Sequence, residues 1–354
     1  MDHYDVIVVG GGQAGIAMGY YLKQEGLSFL MIDANERVGD TWRHRYDSLV
    51  LFTTRKYSSL PEMPMSGLSE GFPTKDDMAD YLERYVSYFD LPVQLHTKVI
   101  TIKKKHELFQ IETNRGMFGA NQIVIASGAF QKPFIPQVTV NKAEGPFQIH
   151  SSLYRSPHQL VKGSVLVVGG GNSGAQIAVE LAHVHHVTLA VSHLFKFLPL
   201  RFLWKSIFYW LDFIGLLHAG IDTKRGKWFN RQSDPIFGKE LKVLMAEGRI
   251  QVKPRVVKVD GKEVLFEDKS VQNFESIVWS TGFMPSYDEW IRIDDAISEN
   301  GNPIHERGIS PVRGLYFIGL PWQHQRGSAL LCGVSRDAKY LVPYIAEFRK
   351  SVRL

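Results

Sequence analysis

The chain has few of the residues that thiol chemistry or a membrane span would need. Its 354 residues include a single cysteine, Cys332, so no internal disulfide and no CxxC pair can form. We therefore expect a reducing compartment, the cytoplasm. No basic and apolar leader comes before the first strand-like run, so a secretory signal is not expected. No uncharged apolar stretch reaches the roughly 18 residues that a membrane-spanning helix needs.

The sequence has no long uninterrupted run of charges of one sign. The formal net charge is +5, and the basic residues are scattered. We therefore predict no nucleic-acid partner. Hydrophobic residues make up 44% and charged residues 22%, as in ordinary globular proteins. The length fits two or three domains rather than a single core.

The longest apolar stretch covers residues 195–217 and reads FKFLPLRFLWKSIFYWLDFIGLL. Pro199 and four charged residues interrupt it, so we predict a loop and a helix with an unusually apolar surface. The favoured interpretation is burial against a neighbouring domain. The alternative is a surface that binds a membrane or a partner. Membrane association is accordingly the alternative to a purely cytoplasmic location.

A nucleotide-binding pattern begins at the start of the chain. An apolar run of strand length leads into GGGQAG, a helical pattern follows, and a second apolar run ends at Asp33. Gly10 permits a tight turn, Gly12 lets a pyrophosphate approach the backbone, and Gly15 lets the helix pack on the strand. Asp33 can accept hydrogen bonds from a ribose. The predicted contacts of this unit are Gly10, Gly12, Gln13, Ala14, Gly15 and Asp33.

The same pattern recurs in the middle of the chain, where VLVV leads into GGGNSG. The predicted contacts of the second unit are Gly169, Gly171, Asn172, Ser173, Ser192 and His193. After its second strand, VTLAV, stand Ser192 and His193, with no carboxylate to repel a 2′-phosphate. No arginine stands there to bind that phosphate either. We therefore predict that NADP is bound with modest preference and that NAD is also accepted.

Two further repeats support a pair of sheets. The segment IVIASGAF contains Gly128, and the similar segment IVWSTGFM contains Gly282. Each is an apolar strand that ends in small residues, and we expect each to close a nucleotide-binding sheet. A last strand ends at Gly319, and Ser328 opens a helical pattern whose N-terminus could face a flavin. These four residues complete the predicted cofactor contacts outside the two glycine-rich turns.

The motifs GGGQAG, GDTWRHRYDSLVLFT, VLVVGGGNSGAQIA, STGFMP and LYFIGLPWQHQRGSALLCGV occur in that order over most of the chain. In this respect the chain resembles the flavin-containing monooxygenase group in its small bacterial branch, nearest to CzcO-type flavoproteins associated with cation efflux. The resemblance implies an α/β fold with two Rossmann-like domains, the NAD(P) domain inserted in the FAD domain. The predicted boundaries are 1–155 and 285–354 for FAD and 156–284 for NAD(P).

The resemblance also implies chemistry. NADPH would reduce FAD, and reduced FAD would take up O₂ as a C4a-(hydro)peroxide that oxygenates a small sulfide, amine or ketone. Trp42 and Arg43 would lie along the cofactor. The competing functions are an NAD(P)H oxidase or flavin reductase, and a redox flavoprotein that modulates a potassium or divalent-cation transporter in the membrane. A homodimer is compatible with the sequence, but no symmetric face can be recognised in it.

The sequence departs from the group's pattern between the domains. The signature there survives only as EGPFQIHSSLY, in which His150 and Tyr154 remain while Glu144 and Pro146 replace a phenylalanine and a glycine. Phe52 stands where many members have an asparagine near the flavin, after a strand-like SLVL. Since Phe52 cannot form a hydrogen bond, it is a candidate catalytic position that would limit oxygenation, or else a packing residue of a strand.

Two other residues are weighed as catalytic candidates. Arg45, like Arg43, could stabilise an anion near the flavin, or could form a salt bridge to Asp40 or Asp47. Gln323 follows the last strand and could line the substrate side. The histidines His183, His185, His186 and His193 lack an acid or cysteine to complete a metal site, so we predict no metal.

Overall fold

The computed structural model describes residues 2–141 and 145–352. The strands are β1 (Asp2–Val9), β2 (Phe29–Ile32), β3 (Val93–Gln94), β4 (Val99–Lys105), β5 (Leu108–Thr113), β6 (Gly116–Ile125), β7 (Lys132–Pro133), β8 (Thr139–Asn141), β9 (Phe147–His150), β10 (Ser164–Val168), β11 (His186–Ala190), β12 (Phe197–Leu198), β13 (Arg201–Phe202), β14 (Lys205–Ser206), β15 (Ile236–Phe237), β16 (Ile250–Lys253), β17 (Val256–Asp260), β18 (Glu263–Phe266), β19 (Val271–Asn273), β20 (Ser276–Trp279), β21 (Phe283–Met284) and β22 (Leu315–Phe317).

The helices pack on these strands. They are α1 (Gln13–Gln24), α2 (Asp40–Arg43), α3 (Arg55–Ser58), α4 (Lys75–Tyr88), α5 (Asn172–Leu181), α6 (Ile207–Phe213), α7 (Lys224–Asn230), α8 (Glu240–Ala246) and α9 (Leu331–Val352). Short 3₁₀ helices are found at Pro157–Gln159, Tyr287–Glu289 and Arg326–Ala329. In the described part of the chain, no helix is both long enough and apolar enough to cross a bilayer.

Two main sheets organise the chain. The first has the order β3-β2-β1-β6-β5-β4, with β22 beside β6. The second has the order β16-β11-β10-β20-β9, and all its pairs are parallel. In the first sheet β1 pairs in parallel with both β2 and β6. This architecture confirms the predicted α/β class with two Rossmann-like units.

The buried strands at the centre of each sheet explain the continuous apolar runs in the sequence. Val6 and Val8 enter the core that contains α1 and α9, whereas Ile7 and Val9 enter a second core on the other side. The same alternation divides β10 between two cores. Because both faces of a parallel sheet are covered, every residue of such a strand can be apolar.

The chain leaves the first sheet after β6, builds the second sheet, and returns to the first at β22. The antiparallel pair β7 and β21 joins the outgoing and returning segments. β9 precedes the predicted boundary after residue 155 and pairs with β20 in the second sheet, while the boundary itself stays a prediction. The parallel pairing with β20 shows that β9 belongs to the second sheet, which the signature EGPFQIHSSLY alone does not indicate. Glu144, one of the departures noted above, lies outside the described residues.

Candidate dinucleotide sites and their interface

The first glycine-rich turn has the shape that a pyrophosphate needs. Gly10 has a φ of +111°, and a Cβ there would lie 2.6 Å from the carbonyl oxygen of Ala126. A Cβ on Gly15 would collide with the carbonyl oxygen of Gly10, so only glycine lets α1 pack this closely. At Gly12 a Cβ would meet no atom within 4 Å. Gly12 caps α1 without a side-chain hydrogen bond, so the N–H groups of the first turn face open space.

Asp33 completes the first site. Its Oδ2 accepts a hydrogen bond from the Gly11 N–H at 2.5 Å, and its Oδ1 accepts from the backbone and side chain of Asn35 at 2.8 and 2.7 Å. These bonds fix a half-buried carboxylate at the carboxyl edge of the first sheet. A fixed carboxylate beside an open glycine turn fits the ribose and pyrophosphate of FAD.

The second turn repeats the first. Gly169 has a φ of +121° and no room for a side chain beside the carbonyl of Ser280, and Gly171 has open space. Gly174, absent from the predicted contacts, would collide with the carbonyl oxygen of Gly169 if it had a Cβ. Its place in the glycine pattern, the same as that of Gly15, is the signal that could have identified it. The second turn therefore also fits a dinucleotide.

The position of the missing acid can be located from backbone hydrogen bonds. The Gly10 N–H donates to Ile32 O, and the Gly169 N–H donates to Ala190 O. Val191 thus occupies the place of Asp33, and a Cβ on Gly170 would lie 3.0 Å from its Cγ1. Ser192 and His193 follow as exposed residues. None of the three carries a carboxylate, so nothing here repels a 2′-phosphate.

The N-terminus of each helix is tied to a distant segment. Gln13 Nε2 donates to Ala329 O at 3.2 Å. In the second unit Asn172 Nδ2 donates to Pro235 O, and Asn172 Oδ1 accepts from the Phe237 N–H, both at 3.0 Å. These bonds occupy the Asn172 carboxamide and leave its backbone N–H for NADP; the contact of Asn172 with NADP stays a prediction. Ser173, next to it, is exposed.

The loop after β22 approaches the first turn. Gly319 has a φ of +82°, and a Cβ there would lie 2.8 Å from the Cβ of Ala14. Gln323 is 1% exposed; its Nε2 donates to Phe317 O and its Oε1 accepts from the Leu320 N–H. Its carboxamide thus holds this loop, and a contact of Gln323 with substrate stays a prediction. Ser328 is fully buried, and its hydroxyl accepts from the N–H groups of two preceding residues, so it is also a structural residue.

Trp42 and Arg43 lie on α2. Arg43 forms ion pairs with Asp40 at 3.3 Å and with Asp80 and Glu83 at 2.9 Å each. The predicted alternative, an Arg43–Asp40 salt bridge, is present. Trp42 packs against the core of the first unit. A contact of these two residues with FAD stays a prediction.

Two short linkers cross between the sheets side by side. Gly128 and Gly282 have φ values of +75° and +81°, and both carbonyls accept hydrogen bonds. Gly128 O accepts from the Tyr287 hydroxyl at 2.7 Å, and Gly282 O accepts from His150 Nε2 at 3.0 Å. Because His150 Nδ1 accepts from the Ser152 N–H at 3.1 Å, the proton lies on Nε2. Burial lowers the pKa of His150, which keeps the ring neutral.

Arg45 stands beside the linkers. Its guanidinium carbon lies 4.8 Å from the ring centroid of Phe130, which contacts Phe283 at 4.8 Å. Among the described residues Arg45 has no carboxylate partner, so the predicted pairing with an aspartate is not seen. Burial lowers the pKa of Arg45. A cation therefore lies at the crossing between the two units.

Phe52 lies at the interface between the units. The preceding residues SLVL form a turn and an isolated bridge, so the predicted strand is wrong. The Phe52 ring stacks on Phe237 at 4.6 Å and on Phe208 at 5.9 Å. Nearby, the Tyr46 hydroxyl donates to Gln176 on α5 at 2.5 Å. The packing role considered for Phe52 is thus observed, but its partners belong to the second unit.

Thiol and metal chemistry have little support in the described residues. Burial raises the pKa of Cys332 to about 12, so the thiol stays protonated. No group of three or more histidine, cysteine, aspartate or glutamate side chains in the described ranges could hold a metal ion. In the described ranges, the two glycine-rich turns are therefore better candidate sites than Cys332 or any set of metal-binding side chains.

Comparison with known proteins agrees with this geometry. Residues 7–196 match the model of the family described as pyridine nucleotide-disulphide oxidoreductase. The chain belongs to this family. An uncharacterised CzcO-like oxidoreductase of Geobacillus kaustophilus is 51% identical over 97% of this chain and 98% of its own length. The corresponding figures for CzcO of Bacillus subtilis are 48%, 96% and 98%.

A solved structure is similar over nearly the full length. The flavin-containing monooxygenase of Stenotrophomonas maltophilia has 27% identity and a TM-score of 0.82, covering 98% of this chain and 99% of that one. The resemblance stated from the sequence is confirmed, and the protein is an NAD(P)H-dependent oxidoreductase of this family. The predicted cofactors FAD and NADP are confirmed as well. Since Cys332 is the chain's only cysteine, the disulphide in the family's description does not imply an internal redox disulphide here.

Proposed function

We propose that the chain is an NADPH-dependent flavin monooxygenase that oxygenates small sulfides, amines or ketones. The supporting observation is a pair of dinucleotide turns in one chain, joined by a packed interface, together with full-length similarity to a flavin-containing monooxygenase. When bound, FAD supplies the transfer of two electrons from NADPH to O₂. One oxygen atom enters the substrate. The other leaves as water, and the reaction consumes one hydride from NADPH and one proton from solvent.

The residues of the two turns bind the cofactors. Gly12 and Gly171 leave space for the pyrophosphates at the N-termini of α1 and α5. Asp33 holds the ribose of FAD. The second turn has no matching carboxylate, so it tolerates the 2′-phosphate of NADP. The free N–H groups of each first helical turn stabilise the phosphate charge.

The interface orients the two cofactors and excludes water. Phe52, Phe208 and Phe237 form one stacked cluster between the units. Arg45 adds a positive charge without a carboxylate partner in the described residues, and such a charge favours an anion that develops beside it. Excluding water at this position favours oxygen transfer to substrate over release of peroxide.

A second candidate function is an NADPH oxidase, in which O₂ takes two electrons and two protons and leaves as H₂O₂. The observation that favours it is the Phe52 ring, which offers no hydrogen bond and is held by stacking. We expect substantial H₂O₂ release beside slow oxygenation.

The decisive experiment reduces the flavoprotein anaerobically with NADPH and mixes it with O₂ and a sulfide, amine or ketone. Flavin spectra, NADPH consumed, H₂O₂ and oxygenated product are measured together. Oxygenated product in proportion to NADPH supports the monooxygenase. Stoichiometric H₂O₂ with no product from any of the three substrate classes supports the oxidase and overturns the proposal.

Phe52→Asn and Phe52→Leu separate packing from chemistry at this position. Both lose the aromatic stack, but only asparagine adds a hydrogen-bonding group. If Phe52 acts by packing, both variants lower the melting temperature, and the ratio of product to H₂O₂ is the same in Phe52→Asn as in Phe52→Leu. A higher product fraction in Phe52→Asn alone would instead place this side chain beside the reacting oxygen.

A further inference from the structure

The apolar stretch 195–217 is only half covered by the fold. Phe208 and Leu217 are buried in a small core with Tyr57 of the first unit. That packing is the burial favoured from the sequence. On the other side of α6, Phe213 is 73% exposed and Ile214 follows it, also exposed. The stretch therefore presents an apolar side to solvent as well.

The exposed side continues into the hairpin formed by β13 and β14. Trp210 of α6 contacts Phe202 at 5.9 Å and Phe213 at 6.1 Å between ring centroids. Beyond Phe202, Leu203 is 63% exposed and Trp204 is 90% exposed. We call this the hairpin surface; its members are Phe202, Leu203, Trp204, Trp210, Phe213 and Ile214. Contiguous exposed apolar area of this kind marks an interaction site more often than scattered residues do.

The tip of the hairpin is held in a conformation that its residues disfavour. Phe202 pairs with Lys205, which leaves Leu203 and Trp204 as a two-residue turn. Their φ values are +44° and +67°. Turns with two positive φ angles favour Asn-Gly, and bulky side chains there are strained. Since both side chains point into solvent, no burial inside the protein offsets that strain, and strain of this kind is found at functional positions.

Positive charge surrounds the hairpin surface. Residues 194–231 contain seven exposed basic residues and two acidic ones, an excess as large as the net charge of the whole chain. The basic residues are Lys196, Arg201, Lys205, Lys224, Arg225, Lys227 and Arg231. Lys205 lies 3.6 Å from Glu70, whereas Lys224, Lys227 and Arg231 have no ion pair among the described residues. Arg225 donates to Ile214 O, which places α7 beside α6.

We propose that the hairpin surface binds the surface of an anionic phospholipid bilayer, with Leu203 and Trp204 entering the headgroup region. Exposed tryptophan, leucine and phenylalanine beside lysine and arginine are the combination that interfacial membrane binding uses. The basic residues supply attraction to anionic headgroups. A second copy of this chain fits less well, because the same positive charge would face itself. This inference is independent of the proposed function.

The test uses the FAD-loaded protein and vesicles of phosphatidylcholine, with and without about 30% phosphatidylglycerol, in a flotation assay. We expect binding to the anionic vesicles only, and at least about tenfold weaker binding when salt is raised from about 0.1 M to 0.5 M. The variant Leu203→Asn/Trp204→Gly should lose at least about tenfold in binding. Because Asn-Gly suits this turn, its melting temperature should equal or exceed that of the parent.

Two controls make the result specific. Val184→Asn removes another exposed apolar side chain, which precedes β11 whereas the hairpin follows it, and should leave binding unchanged. Lys224→Glu/Lys227→Glu should weaken binding to anionic vesicles and reduce its dependence on salt. The proposal is overturned if the parent floats with neither vesicle, if it floats equally with both, or if light scattering shows a dimer that Leu203→Asn/Trp204→Gly dissolves.

Discussion

The two glycine-rich turns are close copies, yet they meet different surroundings. In both, two glycines make the backbone fit and a third leaves space for a ligand. They differ one residue after the second strand, where the first unit has Asp33 and the second has Val191. They differ again at the helix N-terminus, where Gln13 holds the loop after the last strand and Asn172 holds β15. The difference supports the proposal that the turn recognises pyrophosphate and that its neighbours decide which dinucleotide is bound.

The largest expected difference between the two units comes from substituting the glycine that leaves space for a ligand in each turn, Gly12 or Gly171. Gly12→Val should weaken FAD binding by at least about 100-fold, roughly 2.7 kcal/mol, because valine would occupy the path of the pyrophosphate. Gly12 has an extended backbone that valine can adopt, so the protein should still fold. The measurement is flavin content after reconstitution.

Gly171→Val is the matched variant, since Gly171 has the same extended backbone and the same open space. It should keep FAD and lose reduction by NADPH. The assignment of one cofactor to each turn is wrong if Gly12→Val and Gly171→Val both lose FAD, or if NADPH still reduces the flavin of both.

A smaller effect is expected from copying the acid of the first unit into the second. Val191→Asp should shift preference from NADPH toward NADH by about tenfold, roughly 1.4 kcal/mol, because the carboxylate repels the 2′-phosphate. The measurement is kcat/KM for flavin reduction with each nucleotide. Ser192→Asp tests the neighbouring position. A larger shift at Ser192 than at Val191 would show that the phosphate lies over the loop rather than at the strand end.

The smallest expected effect is on the pH dependence of stability, to which His150 contributes beside the linker at Gly282. Burial lowers the pKa values of His150, His218, His305 and His324 in the folded protein. As pH falls below about 6.5, the unfolded chain takes up protons that the folded chain resists, so stability is full above this pH and declines below it. The melting temperature should fall between about pH 7.5 and 5.5.

His150→Gln should reduce that decline, because one of these four histidines is removed while an amide can still donate to Gly282 O. Its melting temperature is compared with the parent at both pH values. An unchanged decline would mean that His150 has the same pKa in the folded and unfolded chain, and would contradict the lowering of its pKa by burial.

Much of each unit could be predicted because its signals are local. The order of strand, glycine turn, helix and strand depends on neighbours within about 25 residues, and β1, α1 and β2 lie where the pattern indicates. The return of β22 to the first sheet followed from the resemblance of the whole chain to its family. Gly174 is predictable in the same way, since it repeats the place of Gly15 in the glycine pattern.

The remaining features depend on which groups of the folded chain meet each polar or aromatic side chain, which the local sequence does not show. Nothing in SLVLF indicates that Phe52 stacks on Phe237, because that contact exists only after the second unit is placed. Gln323 and Ser328 look like polar residues available to a ligand, but the backbone of their own loop uses them. Likewise, the local sequence does not indicate that the Asn172 carboxamide accepts a hydrogen bond from β15. The positive φ angles at Leu203 and Trp204 also have no local signal, since these residue types disfavour them.

The antiparallel pairing of β7 with β21 places Pro133 opposite Phe283. The chain therefore enters and leaves the second unit at neighbouring points, as an inserted domain with adjacent ends does. Such a segment can be exchanged as a unit. Replacing it with a homologous domain of different nucleotide preference requires only two adjacent junctions, and it leaves the seven strands of the first sheet intact. The same adjacency means that evolution could alter the electron donor without rebuilding the flavin domain.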